Sequence, residues 1–255
     1  MHSAPSRPRL SVVASATSSE KIDEFPVRRI YCVGRNYFAH SVEMEGRHRT
    51  QLGLEAASVE EPPFFFQKSS FDSLVDTLET GSVPYPSRTS QLEFEAELVV
   101  GIVKSGRDIR LEDAAAFAGY YGVGCDLTRR DLQGLAKKNR RPWDAAKNFD
   151  FSAPCGPLLK IDHLPGDSIL ELKHNGAVKQ STTLDLMIST VAQCVASLSQ
   201  EVSLHPGDLI FTGTPAGVGE LKPGDDVLCT VSHGNNKDLI LPPCRFIMAP
   251  ALTSS

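Results

Sequence analysis

Residues 92–100 read Leu-Glu-Phe-Glu-Ala-Glu-Leu-Val-Val, and this alternation limits what the segment can fold into. Successive residues of a β-strand point to opposite faces, so Glu93, Glu95 and Glu97 fall on one side and Phe94, Ala96 and Leu98 on the other. The apolar side has to be buried. On the other side three carboxylates repel one another unless water solvates them or a cation sits among them. Two readings follow. One is an edge strand whose wet face is acidic. The other is one wall of a site for a cation that prefers hard oxygen ligands, Mg²⁺, Mn²⁺ or Ca²⁺, with Asp126 leaving a second apolar strand to complete the cage.

With 255 residues, 41% of them hydrophobic, the chain can bury one large core. We read residues 1–22 as a flexible N-terminal tail and 23–255 as a single domain. The first nineteen residues carry Arg7 and Arg9 but no Asp or Glu, a composition compatible with an organelle transit peptide as well as with a disordered tail. A net charge of −5 with scattered basic residues gives no electrostatic case for nucleic acid, although Arg129-Arg130 and Arg140-Arg141 could serve a small anionic ligand. The 6 cysteines show neither C-x-x-C pairing nor a zinc-ligand rhythm, which is the pattern of buried reduced thiols in an intracellular protein, cytoplasmic or mitochondrial. No run of about eighteen apolar residues occurs, so no helical membrane span is expected.

Periodicity predicts a strand over 26–34, a helical patch over 39–44, a short aromatic strand at 62–66 and a helix over 111–118. A strand at 120–126 then leads through Thr128, as N-cap, into a helix over 129–138. Apolar spacing predicts a longer helix over 184–198, and Asn175-Gly176 a tight hairpin. Pro-Gly-Asp at 165, 206 and 223 reads as turns feeding strands. Strands dominate and helices are interspersed irregularly, which argues for an α+β fold rather than a regular doubly wound one. The polar segment from Asn36 to Glu60, with no strong core pattern between Gly46 and Glu61, reads by its length as a mobile surface element.

Several chemistries are excluded. The chain has no G-x-S-x-G elbow and no H-E-x-x-H, and the glycine-rich run 213–219 lacks the lysine of a P-loop. Its backbone N–H groups could face an anion, or the run could be a plain Gly/Pro turn.

Tyr31-Cys32-Val33-Gly34-Arg35-Asn36-Tyr37, His40 with Glu43-Met44, and Pro63-Phe64-Phe65-Phe66-Gln67-Lys68 come first along the chain. Glu95-Ala96-Glu97, Asp126-Leu127-Thr128-Arg129-Arg130-Asp131-Leu132-Gln133, Arg141-Pro142-Trp143, Ala146-Lys147, Ser152-Ala153-Pro154 and the run 207–219 follow in order. Together they resemble the fumarylacetoacetate hydrolase family, most closely its acylpyruvate and fumarylpyruvate hydrolases. The resemblance implies layered mixed β-sheets in an irregular sandwich roll with short helices, assembled as a homodimer. It implies a divalent cation, Mg²⁺ first and Mn²⁺ or Ca²⁺ as alternatives, held by Glu95, Glu97 and Asp126. It further implies cleavage of the C–C bond of a small anionic 2,4-dioxo acid, with oxaloacetate decarboxylation or isomerisation of a related dioxo acid as the competing chemistry.

Within that resemblance, His40 is expected as general base because imidazole exchanges protons near neutral pH, and Glu43, one turn on, as the group fixing its tautomer. Lys147 is expected to stabilise developing negative charge. Arg130, Gln133, Gly213 and Thr214 are expected to bind substrate. Two departures stand out: Glu93-Phe94 occupies the place of a histidine pair, and Ser69 the place of a proline after the aromatic strand.

Overall fold

In the computed structural model, which describes residues 6–52, 62–234 and 238–252, three β-sheets form the frame. The largest has ten strands. Its path runs Lys21–Pro26, Arg9–Val13, Leu158–Lys160, Ala118–Cys125, Ala96–Ile102, Asp208–Phe211, Arg29–Gly34 and Phe64–Lys68, with Ala153–Cys155 and Leu74–Asp76 paired alongside. Parallel and antiparallel neighbours are mixed: Asp208–Phe211 lies parallel to Arg29–Gly34 and antiparallel to Ala96–Ile102. A five-stranded sheet orders Ala177–Thr183, Ile169–His174, Asp226–Ser232, Cys244–Ala249 and Ser82–Pro84, and a three-stranded one orders Thr128–Arg129, Leu92–Phe94 and Gly219–Leu221. This is the α+β arrangement of layered mixed sheets that the resemblance implies.

Strand Ala96–Ile102 explains why the layers hold together. Every one of its residues is buried, and its two faces feed different apolar clusters. Leu98, Val100 and Ile102 join Leu170, Leu172, Val227, Val231 and Phe246 of the five-stranded sheet. Val99 instead meets Ile30, Leu158, Leu209 and Phe211 on the opposite side. Fully burying a side chain of this size contributes about 1.5–3 kcal/mol, so a strand covered on both faces anchors the fold.

The N-terminal tail expected over 1–22 is corrected by the sheet. Arg9–Val13 pairs antiparallel with Lys21–Pro26 and parallel with Leu158–Lys160, and Leu10, Val12 and Val13 are buried. Such a short apolar run has no strong period of its own; its stability comes from a strand nearly 150 positions away.

The acidic segment is also corrected. It is two strands rather than one, Leu92–Phe94 in the small sheet and Ala96–Ile102 in the large one, and the chain changes sheets at Glu95. Distant partners hold the change in place. Asp126 donates its backbone N–H to the Glu95 carbonyl at 2.8 Å, and the Gln180 side chain accepts from the Ala96 N–H at 2.9 Å.

Helix boundaries shift for similar reasons. The helix expected over 129–138 is Arg130–Lys138, and Thr128 lies in a strand with its hydroxyl engaged elsewhere rather than capping. The helix expected over 184–198 divides into a 3₁₀ turn at Leu184–Leu186 and an α-helix Val191–Glu201. Thr190 starts the latter with a capping box, its hydroxyl accepting from the Gln193 N–H while the Gln193 side chain accepts from the Thr190 N–H. The expected patch at 39–44 belongs to helix Phe38–Leu52, which takes in much of the segment expected to be a mobile surface element; residues 53–61 lie outside the described residues. The Asn175-Gly176 hairpin forms as read, between Ile169–His174 and Ala177–Thr183. All 6 cysteines are buried and free. Among the described residues no helix is long and apolar enough to cross a membrane.

Candidate active site

Glu95, Glu97 and Asp126 converge from three backbone contexts. Glu95 sits at the change of sheet, Glu97 in strand Ala96–Ile102, and Asp126 directly after strand Ala118–Cys125, which pairs with it in register Ala96 to Cys125. One oxygen from each lies within 4.8 Å of the others. Relative exposures of 4%, 1% and 0%, with 2% for Glu93, rule out the wet acidic face. The carboxylates are buried, so something must balance their charge.

Positive side chains do part of this. The Lys147 ammonium donates to Glu95 Oε2 at 2.7 Å, to Asp126 Oδ2 at 2.6 Å and to Thr128 Oγ1 at 2.7 Å, which is where the expected N-cap hydroxyl is used. Arg130 donates to Glu93 at 2.6 Å, to Glu95 at 2.5 Å and to Gln133 Oε1 at 2.6 Å. Burial works against ionisation of Glu95, but Lys147 and Arg130 hold its carboxyl below the usual carboxylate range. Burial likewise opposes the charge of Lys147, and Asp126 and Glu95 outweigh it, holding the ammonium above its usual range.

Glu97 is different. It forms no ion pair among the described residues, and it accepts from the backbone N–H of Gly213 at 2.8 Å. Burial, with Asp126 and Glu95 beside it, pushes its carboxyl well above the usual range. A buried carboxyl without a cation, among oxygen donors only, fits a hard divalent ion, which would restore its charge. Gly213 reaches it because φ is +94° there and a Cβ would stand 2.6 Å from the Asn36 side chain.

His40 is buried on helix Phe38–Leu52 and lines the same pocket. Its Nδ1 lies 3.5 Å from Glu43 Oε2, longer than a hydrogen bond, and has no hydrogen-bond partner among the described residues. Catalytic contacts of this kind tighten when substrate arrives. Glu43 Oε2 also accepts from the Gly217 N–H at 3.1 Å, tying the helix to the glycine-rich run. That helix begins beyond Asn36, whose amide donates to the carbonyls of Ser189 and Thr212, both at 2.8 Å, and accepts from the Ser189 N–H at 2.7 Å.

The pocket gathers His40, Glu95, Glu97, Asp126, Arg130, Gln133, Lys147 and Thr214. Two expected substrate binders are already committed: the Arg130 guanidinium to Glu93, Glu95 and Gln133, and the Gly213 N–H to Glu97. Arg130 therefore positions Gln133 and Glu95. Thr214 Oγ1 accepts from Gln180 Nε2 at 2.9 Å, leaving its own O–H to donate.

Sequence reasoning overlooked Arg35, Lys137 and Trp143 in the pocket wall. Arg35 and Trp143 belong to motifs that carry the resemblance, but nothing local points them into the pocket, and Lys137 has no motif at all; their neighbours come from other elements. Lys68, the last residue of the aromatic-strand motif, is held by the same cluster. Lys68 is buried, donates to the Leu127 carbonyl at 3.1 Å and to the Lys147 carbonyl, and pairs with Asp126 Oδ1 at 2.8 Å. Lys68→Met should therefore cost about 3–5 kcal/mol of stability, as removal of one partner from a buried pair does. Urea unfolding would read this as a lower midpoint; an unchanged midpoint would show that the ammonium does not hold these groups.

Residues 29–239 match a family model described as fumarylacetoacetate (FAA) hydrolase C-terminal. The mitochondrial oxaloacetate decarboxylase of Dictyostelium discoideum is 35% identical over 207 residues, covering 80% of this chain and 89% of that protein. The mitochondrial oxaloacetate tautomerase oaa1 of Schizosaccharomyces pombe is 32% identical over 222 residues, covering 86% and 94%. Among solved structures, the fumarylpyruvate hydrolase of Pseudomonas aeruginosa in complex with Mn²⁺ and pyruvate superposes with a TM-score of 0.82 at 38% identity, covering 98% of each chain.

Proposed function

We propose that this chain, which belongs to the fumarylacetoacetate hydrolase family, is a divalent-cation-dependent hydrolase that cleaves acylpyruvates, fumarylpyruvate among them, to pyruvate and a carboxylic acid. The observation that carries this reading is the meeting in one pocket of three buried carboxylates, a His-Glu pair and a buried lysine. Similarity to a hydrolase solved with Mn²⁺ and pyruvate supports it.

Glu95, Glu97 and Asp126 would hold the cation, with Mg²⁺ the first choice because it is content with a few carboxylates plus water and substrate oxygens. When bound, it supplies Lewis acidity toward substrate oxygens. His40 takes a proton from water, and the oxygen adds to the carbonyl at the acyl end. Glu43 holds the imidazole. The bond between the two carbonyl-bearing units then breaks, its electron pair passing to the pyruvate enolate, which is protonated as it leaves. Lys147 holds the negative charge that develops on substrate oxygen, and Gln133 and Thr214 orient the substrate through their donors. Active protein is proposed to be a homodimer.

The second reading is turnover of oxaloacetate, by decarboxylation or by keto-enol exchange. The decarboxylase and tautomerase relatives, at comparable identity, favour it. A screen of fumarylpyruvate, acetylpyruvate and oxaloacetate with Mg²⁺ and with Mn²⁺ separates the two, following loss of enol absorbance and release of pyruvate. Oxaloacetate turnover without cleavage of either acylpyruvate would overturn the hydrolase assignment.

A further inference from the structure

We propose that Arg35 and Lys137 form a subsite for a second carboxylate, so that the pocket selects dicarboxylic over monocarboxylic substrates. The proposal rests on the function proposed above. It begins from charge: Arg35 and Lys137 line the pocket that holds the acidic cluster, yet neither is ion-paired among the described residues. Arg130, by contrast, is neutralised by Glu93 and Glu95.

The wall around them is built to keep both cations there. Gly34 has no side chain because the Phe64 ring occupies its place, 2.0 Å from where a Cβ would stand. Phe64 packs edge-on against Trp143, with centroids 5.6 Å apart and planes at 82°. The Lys137 ammonium in turn lies 4.8 Å from the centre of the Trp143 ring. Arg35 follows Gly34 with φ at +56°, a left-handed conformation that a non-glycine residue keeps only when its surroundings impose it. Here Asn36 imposes it, through its three hydrogen bonds to Ser189 and Thr212.

The two cations are also close enough to affect each other. Burial lowers the Lys137 ammonium to about 8, and the charges of Arg130 and Arg35 add to the effect. Glu95 offsets part of this repulsion at Lys137, but with no ion pair at Lys137 or Arg35 among the described residues the two cations still favour an anionic ligand group, which relieves the repulsion and accepts charge-assisted hydrogen bonds. Lys137 stands four residues after Gln133 on helix Arg130–Lys138, on the same face and about one turn, ~5.4 Å, further along. A dioxo acid with its first carboxylate near the acidic cluster would then extend past Gln133 and present a carboxylate on its acyl end to Lys137 and Arg35. The guanidinium offers paired N–H groups that match a carboxylate.

The test uses a matched pair of ligands that lack a cleavable 1,3-dicarbonyl: 2-oxoadipate, with two carboxylates, and 2-oxohexanoate, with one on a chain of equal length. Titration calorimetry on the full chain loaded with Mn²⁺ should show 2-oxoadipate binding about tenfold or more tighter. Lys137→Gln and Arg35→Gln should each erase most of that ratio, and Lys137→Arg should keep it. A ratio near one for the unmodified chain, or an equal ratio in the Gln variants, would overturn the subsite. If the ratio behaves as expected but no acylpyruvate is cleaved, the hydrolase reading fails while the subsite stands.

Discussion

Glu97→Gln should lower acylpyruvate cleavage by at least about 10³-fold, the scale of several kcal/mol of lost Lewis-acid stabilisation, and yet leave a protein at least as stable as the unmodified chain when no divalent ion is present. The amide keeps an oxygen for the Gly213 N–H but removes a buried carboxyl that burial, Asp126 and Glu95 already push toward its neutral form. The sign follows from that direction. A carboxyl raised on folding costs stability as pH climbs above the unfolded value of about 4.3 toward the folded one, so the gain from Glu97→Gln is present at neutral pH and absent below about pH 4. Mn²⁺ should raise the unfolding temperature of the unmodified chain and not that of the variant. Asp126→Ala makes the contrast: it strands Lys68 and Lys147 and should destabilise as well as inactivate. Thermal unfolding with and without chelator reads all of these. Full activity of Glu97→Gln, or an equal Mn²⁺ response, would remove Glu97 from the metal site.

The second large effect separates the two enzyme readings. His40→Ala should reduce acylpyruvate hydrolysis by roughly 10²- to 10⁴-fold, the usual contribution of a general base. Glu43→Ala should follow in the same direction. Decarboxylation of oxaloacetate needs no proton taken from water, so it should stay within a small factor of the unmodified enzyme. Both rates are measured on the same preparations. Parallel loss would mean that helix Phe38–Leu52 closes the site for every substrate, and no loss in either would put the base elsewhere.

Much of the chemistry was legible along the chain. The alternation around Glu93, Glu95 and Glu97, with Asp126 after a second apolar run, named the carboxylates, and the order of motifs named the family. What the alternation could not show is that Glu95 marks a change of sheet. That change depends on Gln180 and Asp126, which are remote in sequence and bind the backbone on either side of it. Thr128 looked like a helix cap because local spacing favours one, but its hydroxyl accepts from Lys147 and the helix starts after it. Arg130 looked free for substrate because its commitments to Glu93 and Glu95 cross between elements.

Residue type and local period thus determined which groups could be acidic, basic or buried, since those are properties of side chains and of two- or four-residue spacing. Tertiary structure alone decided which of them pair. It set Lys68 under the site as a brace, drew Arg9–Val13 into the sheet, and left Glu97, Arg35 and Lys137 without ion-pair partners among the described residues. The physical reason is that charge balance in a buried pocket is summed over neighbours in space, and those neighbours come from segments up to about 180 positions apart, as between Arg35 in its wall and Thr214.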